Sequence, residues 1–227
     1  MIKENPKDLV PTFFNNTSNS YDDIVHWTTF GKDSLWKHKI LEQLSDQKTV
    51  LDLACGTGIL TKQIAEKLPE AKITGVDITK SYLEKAKKKL ISYPNISFVN
   101  QDAEKLNLEK KFDCITTSYL PKYCTAKILI ENCIEHLNVG GKIILHDFTY
   151  PKNFFVRKMW NLYFKLLYFL GFFIPNWKNV FVDLPSLIRA TNWVKEYEET
   201  MRDYGMTVHR QDFTCGTSAI IVGTKTA

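Results

Sequence analysis

Two glycines one residue apart, Gly56 and Gly58, follow the β-rich run Thr49-Val-Leu-Asp-Leu53 and precede a helical pattern. Glycines at these positions let the backbone turn sharply and approach a ligand closely. The helix that follows offers unpaired N–H groups at its start. The third glycine of a dinucleotide-binding loop is absent, because Thr61 stands there, which disfavours a pyrophosphate. Asp52, four residues before Gly56, is placed to meet a cationic or amino group. Asp77 lies 21 residues after Gly56 at the end of the next strand pattern, where an acid can bind ribose hydroxyls. A nucleoside with an amino-acid tail and no phosphate fits this set. Any one of these carboxylates alone reads as a solvated loop residue or a helix cap.

The elements that must position these residues alternate along the chain. Strands are predicted over 49–53, 72–78, 96–99, 113–117 and 142–146. Helices are predicted over 33–46, 60–68, 80–91 and 125–137, the last closed by the turn Asn138-Val-Gly-Gly141. Such alternation implies parallel βαβ units with a sheet covered on both faces. Two further strands, 207–213 and 219–222, are joined by a connection too short for anything but an antiparallel pair.

Composition sets the outer bounds. The 227 residues carry a net charge of +5, and 44% are hydrophobic, which excludes a disordered or collagen-like chain. The five cysteines are odd in number and contain no CxxC pair, so reduced thiols in a cytosolic protein are the expectation. His26, His38, His136 and His209 form no metal-ligand spacing, and no metal is predicted. The N-terminal residues 1–10 lack an apolar run and do not read as a signal peptide, and residues 1–20 read as a polar, mobile or lid-like arm.

The stretch Leu51-Asp-Leu-Ala-Cys-Gly-Thr-Gly58, then Asp77, then Gln101-Asp-Ala103, resembles the cofactor site of class I methyltransferases that use S-adenosyl-L-methionine. The resemblance implies an α/β, Rossmann-like fold: a seven-stranded, mostly parallel sheet with an antiparallel last strand and an inserted helical cap. It implies a single domain over 1–227, divided into a lid arm (1–32), a cofactor-binding core (49–150), an aromatic cap (151–200) and C-terminal strands (201–227). It also implies roles. Asp52, Ala54 and the Gly56–Gly58 backbone hold the methionine end, and Asp77 the ribose. Ile78 packs on the adenine, Asp102 and the Ala103 N–H read its edge, and Tyr21 and Ser118 complete the cofactor site. The product is S-adenosyl-L-homocysteine.

The rest of the chain resembles the ubiquinone/menaquinone C-methyltransferases. Phe13-Phe-Asn with Tyr21-Asp22, Gly31 with Trp36-Lys37, His146-Asp-Phe-Thr-Tyr-Pro151, and Asp183-Leu-Pro-Ser-Leu-Ile-Arg189 carry this likeness. Departures occur where that family faces its substrate: Leu120-Pro-Lys-Tyr123 replaces a Gly-Leu-Arg-Asn stretch, and His146-Asp-Phe148 replaces Leu-Glu-Phe. The resemblance implies C-methylation of a prenylated hydroquinone such as a demethylmenaquinol. Two alternatives stay open: a small soluble acceptor methylated on O, N or S, and a non-catalytic protein that binds the cofactor at a membrane surface.

A ring carbon becomes nucleophilic when a hydroxyl on the same ring loses its proton, so a general base is expected near the ends of the fourth and fifth strands. Lys122, Tyr119, Tyr123, His146 and Asp147 are the candidates. His146 titrates near neutrality and Asp147 could orient it, while the Lys122 ammonium could stabilise a phenolate. Residues 152–182 contain Lys152, Arg157, Lys158, Lys165, Lys178 and no acid, and 154–181 hold eleven aromatics. The apolar run 159–174 is short and interrupted for a membrane span. Residues 154–177 therefore read as an interfacial helix on the inner membrane face, a buried cap or a homodimer surface. Single-stranded nucleic acid is disfavoured because the run is too apolar.

Overall fold

The computed structural model describes residues 6–14 and 16–226; the first five residues of the predicted N-terminal arm, and Asn15, lie outside them. A seven-stranded sheet runs in the order β3-β2-β1-β4-β5-β7-β6. Strands β1 (Thr49–Leu53), β2 (Lys72–Asp77), β3 (Ile96–Asn100), β4 (Phe112–Ser118) and β5 (Leu137–Phe148) are parallel. Strand β7 (Ser218–Lys225) pairs antiparallel with both β5 and β6 (Met206–Phe213). The central strands are buried on both faces, as a parallel sheet between helix layers requires.

One face is covered by α3 (Lys32–Glu42) and α4 (Ile59–Lys67), whose Ile40, Leu60 and Ile64 pack on Val50, Ile73 and Ile144. The other is covered by α6 (Ala126–Glu135) and α9 (Trp193–Asp203), where Leu129, Trp193 and Tyr197 meet Leu51, Ile115 and Leu145. Helix α5 (Lys80–Lys89) packs beside β2 and β3 and buries Tyr82, Leu83 and Ala86.

A third, smaller core lies outside the sheet. It joins α1 (Leu9–Phe14) and α2 (Tyr21–Thr28) to α7 (Phe154–Leu170) and α8 (Lys178–Ala190) through Phe13, Tyr123, Leu167, Trp177 and Phe181. The polar N-terminal arm is thus helical from Pro6 to Phe14, turns over 16–20, and buries Leu9 and Phe13, two apolar side chains its composition conceals.

Several element boundaries differ from the sequence expectation, the start of β5 most: Leu137 against the expected 142. Residues 138–141 do not terminate a helix but lie within β5, where Leu137 pairs with Phe112 and the register then shifts to Lys142 beside Cys114. The turn-forming residues make a bulge rather than a loop. Asp113 holds it by accepting from Asn138 Nδ2 (2.8 Å).

Candidate active site

The site forms where the carboxyl ends of β1, β2 and β4 meet the segments that follow them, the crevice that open α/β sheets use for ligands. Between β1 and α4 the backbone passes through left-handed conformations at Ala54 (φ 53°), Gly56 (φ 57°) and Gly58 (φ 82°). Gly58 also admits close packing, since a Cβ there would sit 2.8 Å from Leu90 Cδ1. Asp77 ties this loop to β2. Its carboxylate accepts the Gly56 N–H (2.8 Å) and the Thr79 N–H (2.7 Å). Gly56 therefore offers a ligand a bare backbone surface, its N–H being committed to Asp77.

Asp52 is buried at the end of β1 and accepts from Thr61 Oγ1 (2.6 Å) and Thr116 Oγ1 (3.3 Å). Thr61, the residue that breaks the dinucleotide pattern, thus orients the carboxylate. Burial pushes Asp52 up to about 7, against the pull of these hydroxyls and of Lys37. The Asp77 carboxyl is also raised by burial, with its backbone N–H partners opposing.

Two adjoining clefts open on these residues. The larger encloses about 750 Å³ including its mouth and is lined by Asp77, Ile78, Asp102, Ala103, Tyr82, Leu120 and Tyr123. The smaller, about 330 Å³, is lined by Asp52, Lys37 and Thr57. They share Tyr21, Ala54, Gly56, Ser118 and Tyr119. Of the residues expected to bind cofactor, Gly58 alone lines neither cleft; it turns the chain behind them. Ile78 stands half exposed at the rim of the larger cleft. Asp102 pairs with Lys7 and caps the short turn Ala103–Lys105 through the Glu104 N–H (3.0 Å). Phe14, Tyr21 and Tyr82 meet edge to face and close the cleft from the side of α1 and α2. Lys7, Phe14, Tyr82, Lys37 and Thr61 carried no assigned role in the sequence; Lys7, Phe14 and Tyr82 act through contacts between distant segments, while Lys37 and Thr61 act through Asp33 and Asp52, four and nine residues away.

The predicted catalytic residues separate into three settings. Tyr119 lines both clefts, with a left-handed backbone (φ 73°) that is costly for a tyrosine. Its ring stacks on Phe148 at 4.8 Å, and its hydroxyl donates to Asp33 Oδ1 at 2.7 Å. Lys122 and Asp147 form a buried ion pair (2.8 Å), reinforced by the Lys122 N–H on the same carboxylate (3.0 Å). Lys122 Nζ also donates to the Tyr119 carbonyl (2.7 Å). His146 lies one layer deeper, between Ser118 Oγ (2.8 Å from Nδ1) and Ser218 Oγ (2.9 Å from Nε2), and lines neither cleft. Burial, with Lys37 and Lys122 adding to it, holds the imidazole well below its usual value and therefore neutral. The expectation that Asp147 orients His146 fails. Successive residues of a strand point to opposite faces, so Asp147 reaches Lys122 and the two serines hold the imidazole.

An acid for an ammonium, a bare glycine turn, an acid at the end of β2 and an apolar rim residue fit a nucleoside with an amino-acid tail. The sequence profile of the ubiE/COQ5 methyltransferase family matches residues 1–225. The chain belongs to that family. As a ubiE/COQ5-family protein it is an S-adenosyl-L-methionine-dependent methyltransferase.

Among curated relatives of this ubiE/COQ5-family chain, the demethylmenaquinone methyltransferase of Lactococcus lactis subsp. lactis (strain IL1403) is 32% identical over 182 residues, 75% of this chain and 71% of its own. That of Staphylococcus aureus (strain JH9) is 28% identical over 169 residues, covering 71% and 69%. Solved structures share the fold at low identity. The plantazolicin methyltransferase BpumL, crystallised with a desmethylPZN analog and SAH, is 13% identical with a TM-score of 0.67 and covers 98% of this chain and 95% of its own. The N-methyltransferase NodS of Bradyrhizobium japonicum WM9 with SAH is 12% identical with a TM-score of 0.60, covering 98% and 99%.

Proposed function

We propose that this protein methylates a ring carbon of a reduced, prenylated naphthoquinone of the demethylmenaquinol class. The observation that carries this reading is the likeness, over about three quarters of the chain, to relatives named as demethylmenaquinone methyltransferases. The bound cofactor supplies an electrophilic methyl group. In this reading Asp52 faces its ammonium, and Ala54 and Gly56 border its methionine portion. Asp77 takes the ribose hydroxyls, with Ile78, Asp102 and Ala103 around the adenine. Tyr21, Ser118 and Tyr119, shared by both clefts, surround the point of transfer and exclude water there. Tyr119 is the side chain that meets the acceptor, while Lys122, Asp147 and His146 fix it from behind.

The acceptor's chemistry matches an exposed face. Helix α7 buries only Trp160 and Leu167, while Phe154, Phe155, Met159, Leu162 and Phe169 are exposed. Phe172 and Phe173 continue this surface, and Trp27 and Phe30 extend it from the end of α2. Phe30 touches Tyr163 of α7 at 5.6 Å. No acid occurs from 151 to 182 among five basic side chains. An aromatic surface with basic residues suits the headgroup region of an anionic bilayer, where a prenylated quinol resides. No helix among the described residues is long and apolar enough to cross a membrane, so the contact proposed is peripheral.

The test is incubation with methyl-labelled cofactor and chemically reduced demethylmenaquinone in mixed micelles. Label in the extracted quinone supports the reading; label only in water-soluble products overturns it.

A further inference from the structure

The Tyr119 hydroxyl has a partner that sequence reasoning did not single out. Asp33, in the first turn of α3, is buried and receives both the Tyr119 hydroxyl and the Lys37 ammonium on the same oxygen, Oδ1. Lys37 follows one turn later on the same helix and lines the smaller cleft. An ion pair within α3 would account for Asp33 and Lys37 alone. It does not account for Tyr119, a residue of both cleft linings, which comes from the end of β4 in a strained conformation to place its hydroxyl on that carboxylate. Burial and the neighbouring carboxylate hold the Tyr119 hydroxyl well above its usual value, so it keeps its proton and presents it to Asp33.

We infer that Asp33, acting through the Tyr119 hydroxyl, takes the proton from the phenolic hydroxyl of the methyl acceptor. This rests on the reading of the acceptor as a hydroxylated ring. The acceptor O–H proton passes to Tyr119 Oη as the Tyr119 proton passes to Asp33 Oδ1. The ring-carbon electron pair forms the new bond to methyl, and the bond from methyl to the cofactor sulfur breaks with its electron pair staying on sulfur. The methylated carbon then loses its hydrogen as a proton, the oxygen regains one from the relay, and one proton in total leaves to solvent. Asp33 lines neither cleft, so it is a positioning residue that reaches the acceptor only through Tyr119.

Lys37 keeps the carboxylate from standing as an isolated buried charge. The other groups facing this pair are Tyr21 from α2, Lys122 and Asp147 from the β4 and β5 side, and His146 against the Tyr119 ring (5.0 Å between ring centres).

The experiment compares wild type, Asp33→Asn, Asp33→Glu and Tyr119→Phe with methyl-labelled cofactor on two probes: a short-chain demethylated naphthohydroquinone kept reduced, and a soluble catechol. A general-base relay contributes about 10²–10⁴-fold, so Asp33→Asn and Tyr119→Phe should each lower kcat by about that factor, with KM and S-adenosylhomocysteine affinity unchanged. Asp33→Glu should restore part of the rate. In Asp33→Asn the lost rate should return about tenfold per pH unit on going alkaline, as solution ionisation of the probe replaces the relay. Near-wild-type kcat in Asp33→Asn, a parallel loss of S-adenosylhomocysteine affinity, or no alkaline recovery overturns the relay. Wild type that labels only the catechol overturns the quinol reading and leaves the relay to be read on the catechol; label on neither overturns both.

Discussion

Asp52 is a carboxylate whose charge its surroundings keep in balance. Burial raises it to about 7, so at pH 6 most of it is protonated in the ligand-free protein. A cation bound beside it favours the ionised form. Cofactor binding should therefore release close to one proton at pH 6 and little at pH 8.5, and affinity should climb with pH up to about 7 and then level. Calorimetry in buffers of different ionisation enthalpy measures this, and Asp52→Asn should abolish the release. In the ligand-free protein the linkage has the opposite sense: a raised carboxyl costs stability as pH rises from the ordinary value of 3.8 toward 7. Asp77 makes a different prediction. It holds two backbone N–H groups of the binding loop as well as facing the larger cleft. Asp77→Ala should lose about 1.5–3 kcal/mol of S-adenosylhomocysteine affinity, the usual worth of a charged hydrogen bond. Unchanged affinity would remove Asp77 from the ribose.

The elements explain which glycines matter. At Gly58 the left-handed backbone and the nearby Leu90 and Ala86 act together, and Gly58→Ala should cost about 2 kcal/mol. In a chain of this size that lowers Tm by roughly 4–8 °C. Gly140 in the β5 bulge is also left-handed (φ 75°), but a Cβ there meets nothing within 4 Å. Gly140→Ala should therefore cost only the conformational part, about 1 kcal/mol. Equal melting shifts for the two would show that packing against α5 adds nothing. This bulge is also where local sequence misled. Asn138-Val-Gly-Gly141 has the composition of a turn and does bend the chain, but pairing with β4 on both sides absorbs it into a strand. Long-range hydrogen bonding decided the outcome, and no window of the sequence contains it. The alternation of strands and helices from β1 to β5, by contrast, was legible, because each of those elements carries its own periodicity; helices α1, α2 and α8 were not, since they are fixed by the core they share outside the sheet.

For the whole molecule, the charge surplus and the aromatic excess share one surface on α7 and the turn after it. If that surface docks on anionic lipid, binding to vesicles with acidic headgroups should exceed binding to neutral ones. It should also weaken as salt shortens the Debye length from about 10 Å at 0.1 M to about 3 Å at 1 M. Phe172→Ser with Phe173→Ser should reduce flotation with vesicles while leaving S-adenosylhomocysteine affinity intact, since neither residue lines a cleft. Sedimentation as a dimer with these aromatics protected, and no vesicle binding, would assign the surface to a second copy instead.

The sequence alone determined the βαβ order, the glycine turn with its two acids, and the concentration of aromatic and basic residues in one stretch. These are local patterns, readable from spacing and residue type. Tertiary structure decided the rest. It paired Asp147 with Lys122 instead of His146, recruited Thr61 to hold Asp52, and brought Asp33 to Tyr119 across 86 positions of chain. It also turned one face of α7 outward while Leu167 and, after it, Trp177 pack against Phe13 and Tyr123. Each of these depends on which face a side chain occupies and which distant segment meets it, and packing around the sheet sets both.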